Sequence, residues 1–264
     1  GEWETEHGRW LLAFVNVEAR GRTTQYLMPL AIAFEDAEET RWSRLQPAAI
    51  ARVRQQATVG VLADACFDEN FCRSVVEVIG AGREYPMGQA TIRFAPTAAY
   101  TELCGEPGAD LGSSTPLAQG SNTSVRIGEH LFLKVFRKLQ PGLNPELEIG
   151  SYLTEVVRFA NIVPVAGYIE YRDADDTIYT LAILQSYVPN QGDGWTYTID
   201  YLTRFLEDRR TGGPLAEDVH GAYLALTRTL AARTAELHCA LATPTEDPAF
   251  RPEPITQDDL AEWR

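Results

Sequence analysis

A lysine inside an apolar strand is the residue of this sequence whose chemistry is easiest to name. Lys134 stands within the run Leu131–Phe136 (LFLKVF), a pattern typical of a buried strand. An ammonium group without a partner is costly to bury, so Lys134 should have a carboxylate or a phosphate beside it. The alternative is a lysine at a strand edge whose ammonium group reaches water. The strand pattern alone leaves both possibilities open.

Two glutamates that follow the strand could supply this partner. Asn144 and Pro145 are typical of the N-cap and first position of a helix, and Glu146 and Glu148 follow them directly. A strand lysine paired with a glutamate of the next helix holds the phosphates of ATP in protein kinases. Both acids could instead only compensate the helix dipole. That role suits Glu146 better, because it is at the second helical position, so Glu148 is the predicted partner of the lysine.

A run of small polar residues precedes these elements. Residues 119–124 (QGSNTS) lead into a strand, and such a turn can present successive backbone N–H groups and hydroxyls to a phosphate. An ordinary loop has the same composition, so the run by itself is weak support. The residues predicted to contact phosphate are Ser121, Asn122, Thr123 and Ser124.

A second apolar strand, residues 181–189, ends at Pro189. If this strand leads from one lobe of a kinase-like fold to the next, its last backbone groups could bind adenine; the alternative is an ordinary buried strand. The residues concerned are Gln185, Ser186, Tyr187 and Val188. The run that follows, residues 190–195 (NQGDGW), is interpreted as the entry to a helix capped by Asp193, rather than as a ligand-binding loop.

The elements that must position these residues predict an α+β fold. Strands are expected at 10–17, 26–34, 91–95, 125–127, 131–136, 167–171 and 179–187, and helices at 48–56, 59–62, 71–79, 144–159, 198–209 and 219–241. We therefore predict a β-rich cap subdomain at 1–104, a linker at 105–118, a nucleotide-binding lobe at 119–189 and the start of a helical lobe at 190–264. The lobe at 119–189 is expected to be an antiparallel sheet with one major helix.

Composition excludes several function classes. The chain has 264 residues, with 23 basic and 37 acidic side chains and a net charge of −14, which disfavours nucleic acids and anionic membranes as partners. The four cysteines and four histidines are scattered, so neither a disulfide framework nor a metal site is predicted. No apolar run is long enough to span a membrane, and the acidic N-terminus is unlike a signal peptide. A cytoplasmic protein is expected.

Taken together, these motifs resemble bacterial maltokinases, most closely the maltokinase module fused to trehalose synthase. The resemblance rests on residues 119–137 (QGSNTSVRIGEHLFLKVFR), 144–148 (NPELE), 190–195 (NQGDGW) and 235–238 (AELH). It is strong over about 119–241 and looser over 9–100. It implies a fold like that of the aminoglycoside phosphotransferases and the ATP-dependent phosphorylation of maltose to maltose 1-phosphate in α-glucan synthesis.

The resemblance also implies roles for the candidate residues. Ser121 to Ser124 would cover the phosphates of ATP, Lys134 would hold the α- and β-phosphates, Glu148 would orient Lys134, and Gln185 to Val188 would receive adenine. The implied partners are maltose, ATP, Mg²⁺ and a fused or associated trehalose synthase domain.

One departure from the family limits what these residues can do. The family's catalytic aspartate lies in an HGDxHxxQ loop and its Mg²⁺-binding aspartate in a DFEGEP motif, and neither motif occurs in residues 1–264. Both are expected beyond Arg264, so these residues alone are predicted to be inactive. The alternatives are another small-molecule kinase of the aminoglycoside phosphotransferase class, or a non-catalytic interaction module attached to trehalose synthase.

Overall fold

The computed structural model describes residues 1–35, 39–106, 108–117, 121–212 and 218–263. Gln119 and Gly120, which begin the predicted phosphate-binding turn, lie outside these ranges, as does Ala118 at the end of the predicted linker. The described chain forms two compact units. The first contains residues 1–156 and 162–188, and the second contains residues 157–161 and 189–264.

The first unit begins with an antiparallel sheet of five strands in the order β1-β2-β3-β5-β4. The strands are β1 (Glu2–Thr5), β2 (Gly8–Ala19), β3 (Arg22–Phe34), β4 (Ala49–Gln55) and β5 (Thr58–Asp64), and the helices that accompany them are α1 (Glu39–Leu45) and α2 (Glu69–Gly80). The indole ring of Trp3 lies at the centre of a buried aromatic cluster. It stacks on Phe94 and meets the rings of Trp10 and Phe71 at centroid distances of 5.3 and 5.5 Å, respectively.

A seven-stranded antiparallel sheet forms the rest of this unit, in the order β6-β7-β11-β12-β10-β9-β8. Its strands are β6 (Glu84–Met87), β7 (Ala90–Pro96), β8 (Ser114–Pro116), β9 (Asn122–Ile127), β10 (Leu131–Phe136), β11 (Val165–Arg172) and β12 (Ile178–Ser186). Helix α3 (Tyr100–Cys104) precedes β8, and α4 (Pro145–Ser151) continues as a π-turn, Tyr152–Val156. β6 and β7, which lie in the predicted cap, pair with the sheet of the predicted nucleotide-binding lobe, and β8 lies in the predicted linker.

Two of the predicted helices are strands. Residues 48–56 and 59–62 were expected to be helical, but they fall in the hairpin of β4 and β5, which turns at Gln56 with a positive φ of 56°. β5 lies between β3 and β4, where Val61 and Ala63 are buried. The branched Val59 and Val61 favour this extended conformation. The prediction of a helix at 71–79 is confirmed by α2. The helix expected at 144–159 is α4, which ends at Ser151 and is followed by a π-helical turn that ends at Val156.

The second unit is helical, with α5 (Gly194–Arg210), α6 (Gly221–Leu241) and α7 (Gln257–Glu262). Asp193 caps α5 by accepting hydrogen bonds from the backbone N–H and the hydroxyl of Thr196, which confirms the predicted helix entry. These bonds lower the pKa of Asp193. Neither α5 nor α6 buries a described residue, and apolar side chains such as Trp195 and Leu230 are exposed. No helix in the described ranges has both the length and the apolar composition needed to cross a membrane.

The four cysteines are expected to differ sharply in reactivity. Cys66, Cys72 and Cys104 are buried free thiols, whereas Cys239 is exposed. Burial raises the pKa of Cys66, and raises that of Cys72 and of Cys104 to about 12, so these thiols stay protonated when the chain is folded. Because unfolding lets them ionise near their ordinary pKa, their contribution to stability should fall as pH rises from about 9 towards 12.

A thiol reagent should therefore modify Cys239 first in the native protein, with the other three reacting only on unfolding. Mass spectrometry of protein labelled at pH 8, with and without urea, measures this order. Fast labelling of Cys66 or Cys72 without urea would contradict the packing described above.

Candidate functional site

Lys134 lies in the middle of the seven-stranded sheet, on the side that α4 covers. Ser124 of β9 is directly opposite it on one side, and Ile183 of β12 on the other. Residues paired in this way point to the same side of a sheet. Phe132, two residues before Lys134, is likewise opposite Arg126 and Gln185. We call the set Ser124, Arg126, Phe132, Lys134 and Gln185 the Lys134 face.

The partner of Lys134 is Glu146. The Nζ atom of Lys134 lies 2.5 Å from Oε2 of Glu146, and the side chains of Lys134 and Glu146 are 23% and 42% exposed, respectively. The predicted pairing with Glu148 is therefore wrong, since Glu148 forms no salt bridge in the part of the chain that the structure describes. The predicted pairing of the lysine with a glutamate of the following helix is confirmed, but the partner is the first of the two glutamates.

The packing of α4 explains why Glu146 is the partner. Asn144 fixes the start of the helix, because its Oδ1 accepts the backbone N–H of Glu146 at 2.8 Å. The buried side of the helix contains Leu147 and Gly150, and a Cβ atom added at Gly150 would lie 2.9 Å from Val165. By ideal helix geometry Glu146, one turn before Gly150, is nearer in angle to this side than Glu148, although Glu146 is exposed and Glu148 is half-buried. The angle about the helix axis, and not burial, therefore favours the first glutamate.

Arg126 is a functional candidate that sequence reasoning missed. Its Nε atom is buried and has no hydrogen-bond partner among the described residues. Its guanidinium group lies 5.7 Å from the ring centroid of Tyr187, and that ring stacks on Phe132 with a centroid distance of 6.4 Å. A second cation therefore lies on the Lys134 face with unused hydrogen-bonding capacity. The signal available in the sequence was its spacing, two residues after Ser124 on the same strand.

The polar run is divided between the two sides of the sheet. Ser121 and Asn122 line a cavity of about 450 Å³ together with residues of the segment 138–145. Ser124 is on the Lys134 face, and its contact with phosphate stays a prediction. Thr123 is on the other side: it is buried, and its hydroxyl accepts a 2.8 Å hydrogen bond from Nε of Arg137. Strand alternation therefore directs the Thr123 side chain away from Lys134, which corrects its predicted phosphate contact.

The end of β12 also differs in detail from the prediction. The backbone N–H of Ser186 donates to the carbonyl of Pro164 at 3.0 Å, and that of Tyr187 donates to the carbonyl of His130 at 2.7 Å. These two amides are thus used within the protein and are not available as donors to adenine. The side chain of Gln185 belongs to the Lys134 face, and Val188 is 54% exposed. Adenine contacts at these four residues remain a prediction.

The connection from β10 to α4 is tied to the five-stranded sheet. The backbone N–H of Leu27 donates to the carbonyl of Arg137 at 2.8 Å, and that of Leu139 donates to the carbonyl of Gln25 at 2.9 Å. The guanidinium group of Arg137 also forms an ion pair with Asp64 at the end of β5. Both sheets therefore hold the segment that leads from Lys134 to Glu146.

Comparisons with known proteins support the fold. No family model matches the chain. A solved structure described as glucosamine kinase in complex with glucosamine, ADP and inorganic phosphate is 18% identical with a TM-score of 0.54, over 100% of this chain and 49% of that one. Two other crystal forms of glucosamine kinase, 18% and 17% identical, have TM-scores of 0.49 over 96% and 100% of this chain and 49% and 50% of theirs. The chain spans about half the length of these structures.

At these identities the likeness concerns the fold alone. β8, β9 and β10 are followed by α4, so that the lysine is on the third strand of the series and its glutamate on the next helix, as in protein kinases. The chain therefore has an α+β, kinase-like fold that is similar to the fold of glucosamine kinase.

Proposed function

We propose that the Lys134 face binds the phosphates of ATP and that the protein is a small-molecule kinase acting on a sugar. The observation that carries the proposal is the ion pair between Lys134 and Glu146, on the strand and helix where protein kinases place theirs. Arg126 supports it, because a buried guanidinium nitrogen without a partner suits an anionic ligand. The glucosamine kinase neighbour, described with ADP bound, has the same fold.

The finer proposal concerns the acceptor. Maltose is the sugar that the sequence resemblance favours, and glucosamine is the sugar named for the structural neighbour. The residues of the Lys134 face would contact the donor nucleotide. They therefore do not discriminate between maltose and glucosamine as the acceptor. Fusion to trehalose synthase likewise remains a proposal from the sequence resemblance.

In this proposal each residue has an electrostatic or positioning role. Lys134 would neutralise phosphate charge, and Glu146 would hold its ammonium group in place. Ser124, opposite Lys134, would add a hydroxyl donor, and Arg126 would add a second positive charge. Mg²⁺ would supply further charge neutralisation when bound with ATP. Its protein ligands were expected beyond Arg264 and are not assigned among the residues of this face.

Matched variants of the two glutamates test the role of the ion pair. Glu146→Gln should weaken ATP binding by about 5- to 10-fold, because the amide no longer fixes the ammonium group by a charge-assisted bond. Glu148→Gln should change it by less than about twofold, since Glu148 does not contact Lys134. Isothermal titration of each variant with ATP and Mg²⁺ measures the difference. A larger loss of ATP affinity in Glu148→Gln than in Glu146→Gln would show that Glu148 is the glutamate that positions Lys134.

One observation favours a second candidate function. α5 and α6 bury no described residue, yet they carry apolar side chains such as Leu206 and Leu226. Exposed apolar surface of this kind is typical of interaction surfaces, so a non-catalytic interaction module is the alternative. The same titration separates the two: a module of this kind would give no saturable ATP signal, with or without the glutamate substitutions.

A further inference from the structure

A group of potential metal ligands lies in the five-stranded part of the first unit. The turn between β1 and β2 contributes Glu6 and His7, and α2 contributes Glu77. Nε2 of His7 lies 2.6 Å from Oε2 of Glu77 and 3.8 Å from Oε1 of Glu6. One ligand atom from each residue lies within 4.8 Å of the others. No metal site is predicted from the sequence, because the histidines and cysteines are scattered; His7 and Glu77 are 70 positions apart.

The charges of this group are not balanced by basic side chains. Glu6 and Glu77 form salt bridges only with His7 among the residues that the structure describes. The two carboxylates lie close together with a histidine nitrogen between them, and the Glu6 side chain is 83% exposed. Like charges at this separation are unfavourable unless a cation joins them. One imidazole nitrogen and two carboxylate oxygens form a donor set suited to Zn²⁺ and similar divalent transition-metal ions.

The residues behind these ligands hold the turn in place. The backbone N–H of His7 donates to the hydroxyl of Thr5 at 3.2 Å, and that hydroxyl lies 2.7 Å from the hydroxyl of Ser74. Ser74 is fully buried on α2, three residues before Glu77. The turn and the helix are therefore already joined beside the ligand atoms, so little ordering would be required on binding.

Space for further ligands lies next to the group. A cavity of about 230 Å³ is lined by both glutamates and by Glu106, with Tyr100 and Leu111 on its walls. A tetrahedral ion with bonds of about 2.0–2.2 Å needs ligand atoms about 3.3–3.6 Å apart. The ligand atoms of His7 and Glu77, now 2.6 Å apart, would have to separate by roughly 1 Å, and their side chains are each 27% exposed. Water from the cavity could complete the coordination.

We propose that Glu6, His7 and Glu77 form a binding site for a divalent transition-metal ion of the Zn²⁺ type. The ion would join the β1–β2 turn to α2 and so stabilise the five-stranded part of the unit. The site is independent of the Lys134 face, so the proposal stands whether or not the chain binds ATP.

Cobalt substitution tests this site directly. Metal-free protein carrying Cys239→Ser, which removes the exposed thiol, is titrated with Co²⁺ and its visible absorption is recorded. We expect one equivalent to bind with the intense visible bands of a four- or five-coordinate site, to be displaced by Zn²⁺, and to be unaffected by a large excess of Mg²⁺. Zn²⁺ should also raise the melting temperature of the protein.

Variants of two of the three residues test whether the signal comes from this site. His7→Gln and Glu77→Gln should each weaken Co²⁺ binding at least about tenfold. Glu4→Gln is the matched control, because Glu4 is a neighbouring surface carboxylate paired with Arg9, and it should bind as the parent does. The proposal is overturned if the parent protein shows no saturable cobalt absorption, if a thiolate-to-cobalt band appears, or if His7→Gln and Glu4→Gln bind Co²⁺ equally well.

Discussion

Replacing Lys134 with methionine is expected to weaken ATP binding about 10- to 100-fold. Methionine keeps much of the apolar side chain but removes the ammonium group that lies 2.5 Å from Glu146. The lost charge-assisted hydrogen bonds to phosphate are worth about 1.5–3 kcal/mol, which corresponds to this range of affinity. Removing the cation also leaves Glu146 facing the phosphates without compensation, which adds repulsion. Titration with ATP and Mg²⁺ gives the ratio of the two dissociation constants.

The matched control for this variant is Arg172→Met. Arg172 lies at the end of β11 in the same unit, where it forms an exposed ion pair with Asp176. The substitution removes one positive charge from the protein but none from the Lys134 face, so ATP affinity should stay within about twofold. Equal losses in the two variants would mean that Lys134 acts only through the overall charge of the protein.

Removing the carboxylate of Asp68 is expected to destabilise the protein by about 3–5 kcal/mol, because it breaks a buried ion pair with Arg41 and removes a buried hydrogen-bond acceptor of Trp10. Asp68 is 2% exposed, and its Oδ2 atom accepts hydrogen bonds from Nε1 of Trp10 at 2.8 Å and from Nη2 of Arg41 at 2.7 Å. Its Oδ1 atom also accepts the backbone N–H of Asn70 at the start of α2. Asp68→Ala therefore removes one partner each from an indole, a guanidinium group and a helix end.

Urea unfolding of Asp68→Ala, followed by circular dichroism, measures this loss. Glu69→Gln is the control, because Glu69 is the next residue and its ion pair with Arg44 lies at the surface. That variant should lose no more than about 1 kcal/mol. If Asp68→Ala were as stable as Glu69→Gln, the buried network around Asp68 would contribute little to folding.

The Lys134 ion pair shows how far local sequence patterns can be taken. An ammonium group in an apolar strand requires a counter-charge, and the N-cap signal at Asn144 places two acids in the next helix, so the pair could be predicted. Which acid forms it depends on how α4 turns towards the sheet. That rotation is set by the approach of Gly150 to Val165 on β11, fifteen residues later, and no local pattern contains it.

The prediction of helices at the residues of β4 and β5 was wrong for a different reason. The apolar residues of this hairpin have no clear period. β4 is an edge strand with most of its residues exposed, whereas β5 is paired with β3 on one edge and with β4 on the other. Tertiary pairing with β3 decides the conformation there. The proposed metal ligands were missed because the contact between His7 and Glu77 exists only when α2 lies against the hairpin of β1 and β2. Arg126 could have been found, since alternation places it beside Ser124.

The most direct test of the nucleotide site uses an acyl-phosphate derivative of ATP, which transfers its acyl group to an amine beside the bound phosphates. The chain contains only two lysines, Lys134 and Lys138, so the second serves as an internal control. The account predicts that mass spectrometry finds the acyl group on Lys134, that excess ATP prevents this labelling, and that Lys138 is labelled weakly and without protection. Equal labelling of both lysines, or labelling of Lys134 that ATP does not reduce, would contradict it.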